Sequence, residues 1–212
     1  MLSTMQDAPL TITTIMRHAT GQNYRRTVTT ALGGGQYRTM TYGEVGRQSG
    51  RLANALRGLG ITGDQRVATF MWNNAEHTVA YLAIPSMGAV LHTLNLRLFP
   101  DQLVYIVEHA EDQVLLVDSS LVAVLAPLLP RLRSVRHVVV AGGEQSANTV
   151  HVLQRAGRAK QRQHHGAVHQ SSIGTHNGGQ SLGQFANTRH ALPLSAELGM
   201  EGHVQRIELG HA

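Results

Sequence analysis

Few side chains in this sequence stand where chemistry could begin, and Asn95 and Arg97 are the first to consider. They follow AVLHTL (89–94), an aliphatic run that reads as a strand. They therefore fall at a carboxyl end, where doubly wound sheets gather ligands. His165 and His169 are spaced i, i+4, which on a helix would set two imidazoles on one face for a metal. Gly166 between them and the lack of a nearby carboxylate count against that use. The run RAGRAKQRQHH (155–165) is dense in cations and could hold phosphate nonspecifically, but no aromatic side chains interleave it. Asp64 and Asp118 sit at turn positions, where capping a free N–H explains a carboxylate better than magnesium does. No residue is assigned as catalytic, cofactor-binding or metal-ligating. There is no G-x-x-x-x-G-K-[ST] loop, and the one lysine, Lys160, lies in GRAKQRQ.

The first 144 residues alternate strand and helix signals that would position such groups. A short helix is expected around Ile12–Ala19. RRTVTTALGGGQYRTMTY then reads as two strands joined at Gly33–Gly35, a turn rather than a phosphate loop because no helix opens directly after it. Thr41 and Glu44 form T-x-x-E, a capping box, and Val45, Leu52, Leu56 and Leu59 continue at helical spacing to Gly58 and Gly60. Beyond them the expected order is strand 66–71, helix 75–87, strand 89–94, a helix from Pro100, strand 114–118, helix 120–129 and strand 137–141. Such spacing suits tight βαβ units, and near-continuous aliphatic strands imply burial on both faces. The expected fold class is α/β, a partial doubly wound and mostly parallel sheet.

Composition fits a chain with an aliphatic core and no thiol chemistry. Hydrophobic residues make up 42% and aromatics only 4%, and there are no cysteines, so disulfides and cysteine-bound zinc are excluded. The formal charge of +5 hints at nucleic acid, yet residues 1–144 hold 12 basic and 10 acidic side chains. Residues 145–212 hold 6 and 3, so the basic character follows the tail. Between Glu144 and Glu197 no acidic residue occurs, and 8 of the 13 histidines lie past residue 150. AKQRQHHGAVHQSSIGTHNGGQSLGQ shows neither strand nor helix periodicity, so an irregular or disordered tail is expected. The N-terminus lacks the basic start of a signal peptide, and LVAVLAPLL (121–129) is too short to span a bilayer. The expected location is cytoplasmic, with no transmembrane segment.

One block carries more than periodicity can. TYGEV, LANALRGLGITGDQRVA, NNAEHTVAYLAIPSMGAV, HTLNLRL and DQLVYIVEHAEDQVLLVD together resemble the N-terminal part of the adenylate-forming acyl-CoA synthetases, AMP-binding ligases, over about residues 10–143. HTLNLRLFPDQLVYIVEHA is more similar to the ligases for medium- and long-chain fatty acids than to those for amino acids. The resemblance implies a reaction in fatty acid metabolism: ATP activates a carboxylate to an acyl-adenylate with release of pyrophosphate, and the acyl group passes to coenzyme A. It implies fatty acid, ATP, magnesium and coenzyme A as partners of the complete enzyme. From their strand end, Asn95 and Arg97 are the candidates to face the edge of that enzyme's active-site cleft. The resemblance also implies a Ser/Thr/Gly-rich loop with a lysine for phosphates and a second, catalytic lysine, and neither has a counterpart here. On that basis the chain is expected to be a truncated, inactive ligase that needs no cofactor of its own.

The expected division is residues 1–143, the N-terminal segment of the ligase large domain, and 144–212, a non-homologous tail rich in His, Gln and Arg. Residues 1–143 contain no lysine and use Arg, Ala, Gly and Val heavily, as GC-rich DNA would give, and the tail resembles a shifted frame of such DNA. A second function class stays open: a non-catalytic interaction fragment with a basic tail and no specific nucleic acid. Exposed sheet edges would then favour association or aggregation.

Overall fold

The computed structural model describes residues 8–142 and the backbone of 149–154 and 204–208. Helix α1 (Ile12–Gly21) starts at Thr11, whose side chain accepts from the Thr14 amide. Strands β1 (Thr27–Gly33) and β2 (Gln36–Thr41) pair antiparallel, and the turn between them needs positive φ at Gly33, Gly34 and Gly35. Helix α2 (Tyr42–Gly58) opens on the expected capping box: the Glu44 amide donates to Thr41 Oγ1 at 3.2 Å, and the Thr41 amide donates to Glu44 Oε2 at 2.7 Å. That Thr41 amide, with the hydroxyl, holds the Glu44 carboxyl below its ordinary range.

Four strands then form the parallel part of the sheet: β3 (Arg66–Phe70), β4 (Val90–Thr93), β5 (Val114–Asp118) and β6 (His137–Ala141). Helix α3 (Ala75–Ser86) joins β3 to β4, and α4 (Pro100–Ala110) joins β4 to β5. Between β5 and β6 the expected helix over 120–129 does not form. Instead a 3-10 turn at Ser119–Leu121, one α turn at Val122–Leu125 and a 3-10 stretch at Ala126–Arg131 follow one another. Pro127 and Pro130 remove two amide donors there, which breaks an i to i−4 ladder. Leu121, Val122, Leu125, Leu128 and Leu129 are buried all the same.

Alternate residues of the central strands enter different cores. Ala68, Phe70, Leu115, Val117, Val138 and Val140 face α4 and the 119–131 segment, where Leu103, Val107, Leu125 and Leu132 close the layer. Val67, Val114, Leu116 and Val139 face α2 and α3 and meet Val45, Leu56, Ala80 and Ile84. The sheet is thus covered on both faces, as the aliphatic strands imply.

The sheet does not stop at Ala141. Strand β7 (Thr149–Gln154) pairs antiparallel with β6, from His137 against Gln154 to Ala141 against Val150, and β8 (Val204–Glu208) pairs antiparallel with β7. The full order is β4-β3-β5-β6-β7-β8. These strands differ from the irregular continuation expected after Gly143: TVHVLQ holds Val150, Val152 and Leu153, but it is too short and isolated to stand out in its surroundings. Lys160, His165, His169 and the basic run 155–165 lie outside the described residues.

Packing of α1 on α2 leaves no room at Gly46, where an added Cβ would lie 2.4 Å from Thr20 Cγ2. Thr20 is held by its hydroxyl donating to the Met16 carbonyl at 2.8 Å. Gly50, on the same helix, is exposed with nothing within 4 Å of such a Cβ. Gly46→Ala is expected to destabilise by about 1–3 kcal/mol through overpacking. Gly50→Ala is expected to stabilise by up to about 1 kcal/mol through helix propensity. Urea unfolding of the two variants checks the contrast, and equal shifts in the midpoint would refute the close approach of α1 and α2.

Candidate functional site

Strand order decides where to look. After β3 the chain places β4 on one side of it and then returns to place β5 on the other. The direction of winding reverses between β3 and β5, and the crevice beyond their carboxyl ends is where open α/β sheets bind ligands.

Two loops meet there, Met71–Asn74 after β3 and Ser119–Leu121 after β5. Trp72 Nε1 donates to Ser120 Oγ at 3.0 Å, and Asn74 Nδ2 donates to Asp118 Oδ2 at 3.0 Å. Asp118 Oδ1 accepts from the Ser120 amide at 3.0 Å and from its hydroxyl at 2.7 Å. The turn role expected for Asp118 is therefore present, and the same carboxylate also ties the two loops together. Asn74 caps α3, its Oδ1 accepting from the His77 amide at 2.9 Å. The Ala75 amide is taken by Thr30 Oγ1 of β1 at 2.9 Å, and Arg38 of β2 pairs with Glu76 in the first turn. The hairpin β1–β2 thereby closes the start of α3.

His77 lies beneath this loop, 5% exposed. Its Nδ1 is 3.2 Å from the Trp72 carbonyl, which can only accept, so Nδ1 carries the proton. Nε2, 3.0 Å from Thr69 Oγ1, is then the acceptor of the threonine hydroxyl. Burial pushes His77 below the usual imidazole range, and the Trp72 carbonyl offsets this in part. Trp72 itself remains 52% exposed, its indole edge fixed and its face open.

Asn95 and Arg97 lie beyond β4, the strand next to β3 on the outside, and both are exposed. The Arg97 amide donates to Asn95 Oδ1 at 2.9 Å, so the asparagine shapes its own turn. The guanidinium of Arg97 makes no ion pair among the described residues. These two residues share the carboxyl edge but do not join the Trp72–Asp118 network. Asp64 is exposed in the turn before β3, where Gln65 Oε1 accepts from the Thr62 and Gly63 amides. Another ionisable pair sits away from this edge: His92 Nδ1 lies 2.7 Å from Asp112 Oδ2, and the Asp112 side chain is fully buried. Burial pushes the Asp112 carboxyl up, and the bond to His92 opposes that shift.

Sequence reasoning passed over Trp72, Asn74, His77 and Ser120. Asn74 was legible as an N-cap ahead of Ala75, but the partners of the other three depend on the strand order.

The AMP-binding enzyme family matches residues 16–178, more than half of the chain. The chain belongs to that family. A long-chain-fatty-acid–CoA ligase of Thermus thermophilus is 41% identical over 138 residues, which cover 65% of this chain and 26% of the relative. A 3-methylmercaptopropionyl-CoA ligase of Ruegeria lacuscaerulensis is 35% identical over 142 residues, covering 67% of this chain and 26% of the relative. In fold, the chain is similar to an anthranilate CoA ligase crystallised with anthranoyl-AMP, with a TM-score of 0.59 and 24% identity over 67% of this chain and 27% of that one. The chain thus spans about a quarter of the length of the curated relatives it matches.

At the carboxyl edge of this AMP-binding family member, the one carboxylate at the switch point is already committed. Asp118 spends both oxygens on Asn74 and Ser120, and residues 8–142 contain no lysine. No three His, Asp or Glu side chains converge on a metal position among the described residues. The network ties the Met71–Asn74 loop to the end of β5. Asp118→Ala removes the acceptor of the Ser120 amide and strands Asn74 Nδ2, a loss expected to cost about 1–3 kcal/mol. It should also red-shift the emission of Trp72, the only tryptophan in the chain, as Ser120 loses its anchor. An unchanged urea midpoint and an unchanged emission spectrum would contradict the network.

Proposed function

We propose that residues 1–143 are the N-terminal α/β segment of the large domain of a fatty-acyl-CoA ligase, with a medium- or long-chain acid as substrate. The 41% identity to a long-chain-fatty-acid–CoA ligase across 138 residues carries this reading. HTLNLRLFPDQLVYIVEHA supports the fatty-acid branch. The 35% identity to a ligase for 3-methylmercaptopropionate, a short acid, weighs against deciding chain length from this segment. The complete enzyme would consume ATP, form an acyl-adenylate and deliver the acyl group to coenzyme A, with magnesium on the phosphates. Asn95, Arg97 and the Trp72 loop would face its cleft from the carboxyl edge of the sheet. A cytoplasmic location agrees with this reading, and among the described residues no helix is long and apolar enough to cross a membrane.

The polypeptide by itself is expected to be inactive. Its sequence holds one lysine, Lys160, and no Ser/Thr/Gly-rich lysine loop, the groups that the family reaction calls on to hold the phosphates as pyrophosphate leaves. Incubated with ATP, magnesium, decanoate or palmitate and coenzyme A, the purified chain should release no pyrophosphate and form no acyl-CoA. Product formation that tracks the purified chain would overturn the inactivity while leaving the family intact. The assignment of 144–212 to an unrelated or out-of-frame tail is tested by translating the other frames of the encoding DNA beyond Gly143. A frame that resumes the ligase pattern supports it, whereas the family match up to residue 178 and the pairing of β7 with β6 weigh against it.

A second reading, an interaction fragment, draws on the sheet edges. Strand β4 pairs only with β3, and β8 only with β7, among the described residues, so each leaves a row of backbone groups open. Saturable binding to one protein partner favours this reading, and polydisperse aggregation argues against it.

A further inference from the structure

The neutral His77 ring and the loop above it depend on each other. The ring donates through Nδ1 to the Trp72 carbonyl and accepts through Nε2 from Thr69, so it closes one end of the Met71–Asn74 loop from below. The other closures of that loop run across to the end of β5, from Trp72 to Ser120 and from Asn74 to Asp118. A second proton can only enter at Nε2. It would turn that nitrogen from acceptor to donor, so that the Thr69 hydroxyl must rotate to accept, and it would put a full charge where the ring is 5% exposed. His77 also lies in the first turn of α3, whose amide end repels a cation.

The surrounding groups give that cation no free counter-charge. On its own helix, Glu76 is paired with Arg38 of β2, and the Tyr81 ring packs against the imidazole at 4.8 Å. From β1, Thr30 is bonded to the Ala75 amide, and from β5 the Asp118 carboxylate is committed to Asn74 and Ser120. Helix α2 presents Ser49, bonded to the Val79 carbonyl, and its Glu44 is held in the Thr41 capping box. A charged ring can therefore be accommodated only by reaching water, and the ring is buried with the Trp72 loop bonded to its Nδ1.

We propose that His77 is a proton-operated latch on the Met71–Asn74 loop: the neutral ring holds the loop closed at the carboxyl edge, and the protonated ring releases it together with Trp72. The consequence is a switch-point surface that is ordered above the titration of His77 and loosened below it, whatever the chain binds there. Because burial lowers the imidazole from its ordinary 6.5, the stabilisation is full above that value and is lost as the pH falls toward the folded-state value.

Trp72 is the only tryptophan, so one indole N–H resonance reports on the loop. The experiment follows that resonance and the His77 ring by NMR in the whole chain from about pH 8 to about pH 5, with acrylamide quenching of Trp72 in parallel. The expected result is that the indole resonance shifts, and quenching rises, with the midpoint of the His77 titration. In His77→Gln, which keeps a donor and an acceptor, both signals should stay flat across the same range. An indole resonance that does not move while His77 titrates would overturn the latch, as would an unchanged pH profile in a folded His77→Gln variant. Should that variant not fold, the wild-type co-titration decides alone. His137, which burial also lowers, lies at the amino end of β6, and a midpoint that follows its ring instead would equally overturn the proposal.

Discussion

Burial of the parallel strands on both faces is the constraint from which most of the structure follows. Val67, Ala68, Val114, Leu115, Leu116, Val117, Val138, Val139 and Val140 are all at most 3% exposed, and neighbours along each strand enter opposite cores. A sheet of that kind needs a layer on each side. One layer is α2 with α3, and the other is α4 with the turns of 119–131. To supply both from one chain with right-handed crossovers, the winding must reverse once, and it reverses between β3 and β5. The crevice at the carboxyl ends is thus a by-product of covering a two-faced sheet.

What occupies that crevice is set by local rules acting in one place. An asparagine caps α3 because four amides at a helix start need partners. An aspartate after β5 satisfies the amide two residues on, as aspartates in turns do. Each is a local solution, and each has an atom to spare. The topology brings those spare atoms within 3.0 Å, so Asn74 and Asp118 become a tie between two loops that neither segment encodes alone. Trp72 with Ser120 repeats the pattern, and the imidazole beneath them makes the loop sensitive to protonation.

This explains which parts were legible in the sequence. The α/β class, the hairpin at Gly33–Gly35, the capping box at Thr41 and all four parallel strands could be read because each rests on spacing within a few residues. The helix over 120–129 failed because hydrophobic spacing outweighed Pro127 and Pro130 in the reading, whereas in the molecule the missing amides break the ladder and the leucines bury themselves from 3-10 turns instead. Strands β7 and β8 were invisible for a different reason. Their backbones find partners across the sheet, and five or six residues with two or three aliphatic side chains each carry too little signal by themselves. At the carboxyl edge, Asn95 and Arg97 could be placed from one strand end, but Trp72, His77 and Ser120 required knowing which strands are neighbours.

The same distinction bears on what such a segment can do. Its architecture is closed in the sense that both faces of the central strands are covered, and a fold of this kind can hold loops to within a hydrogen bond of one another. Catalysis of acyl transfer through an adenylate asks for something else: positive charge and donors aimed at phosphates and at the acyl carbonyl, converging from several parts of a chain. Here the carboxylate at the switch point is hydrogen-bonded by asparagine and serine, the cation nearest the edge in sequence, Arg97, stands outside the network, and lysine is absent from residues 8–142. The edge is preorganised in shape and nearly empty of catalytic charge. On the reading proposed above, a surface built this way would contribute a wall and an aromatic face to a cleft, with the phosphate-binding groups supplied from outside residues 8–142.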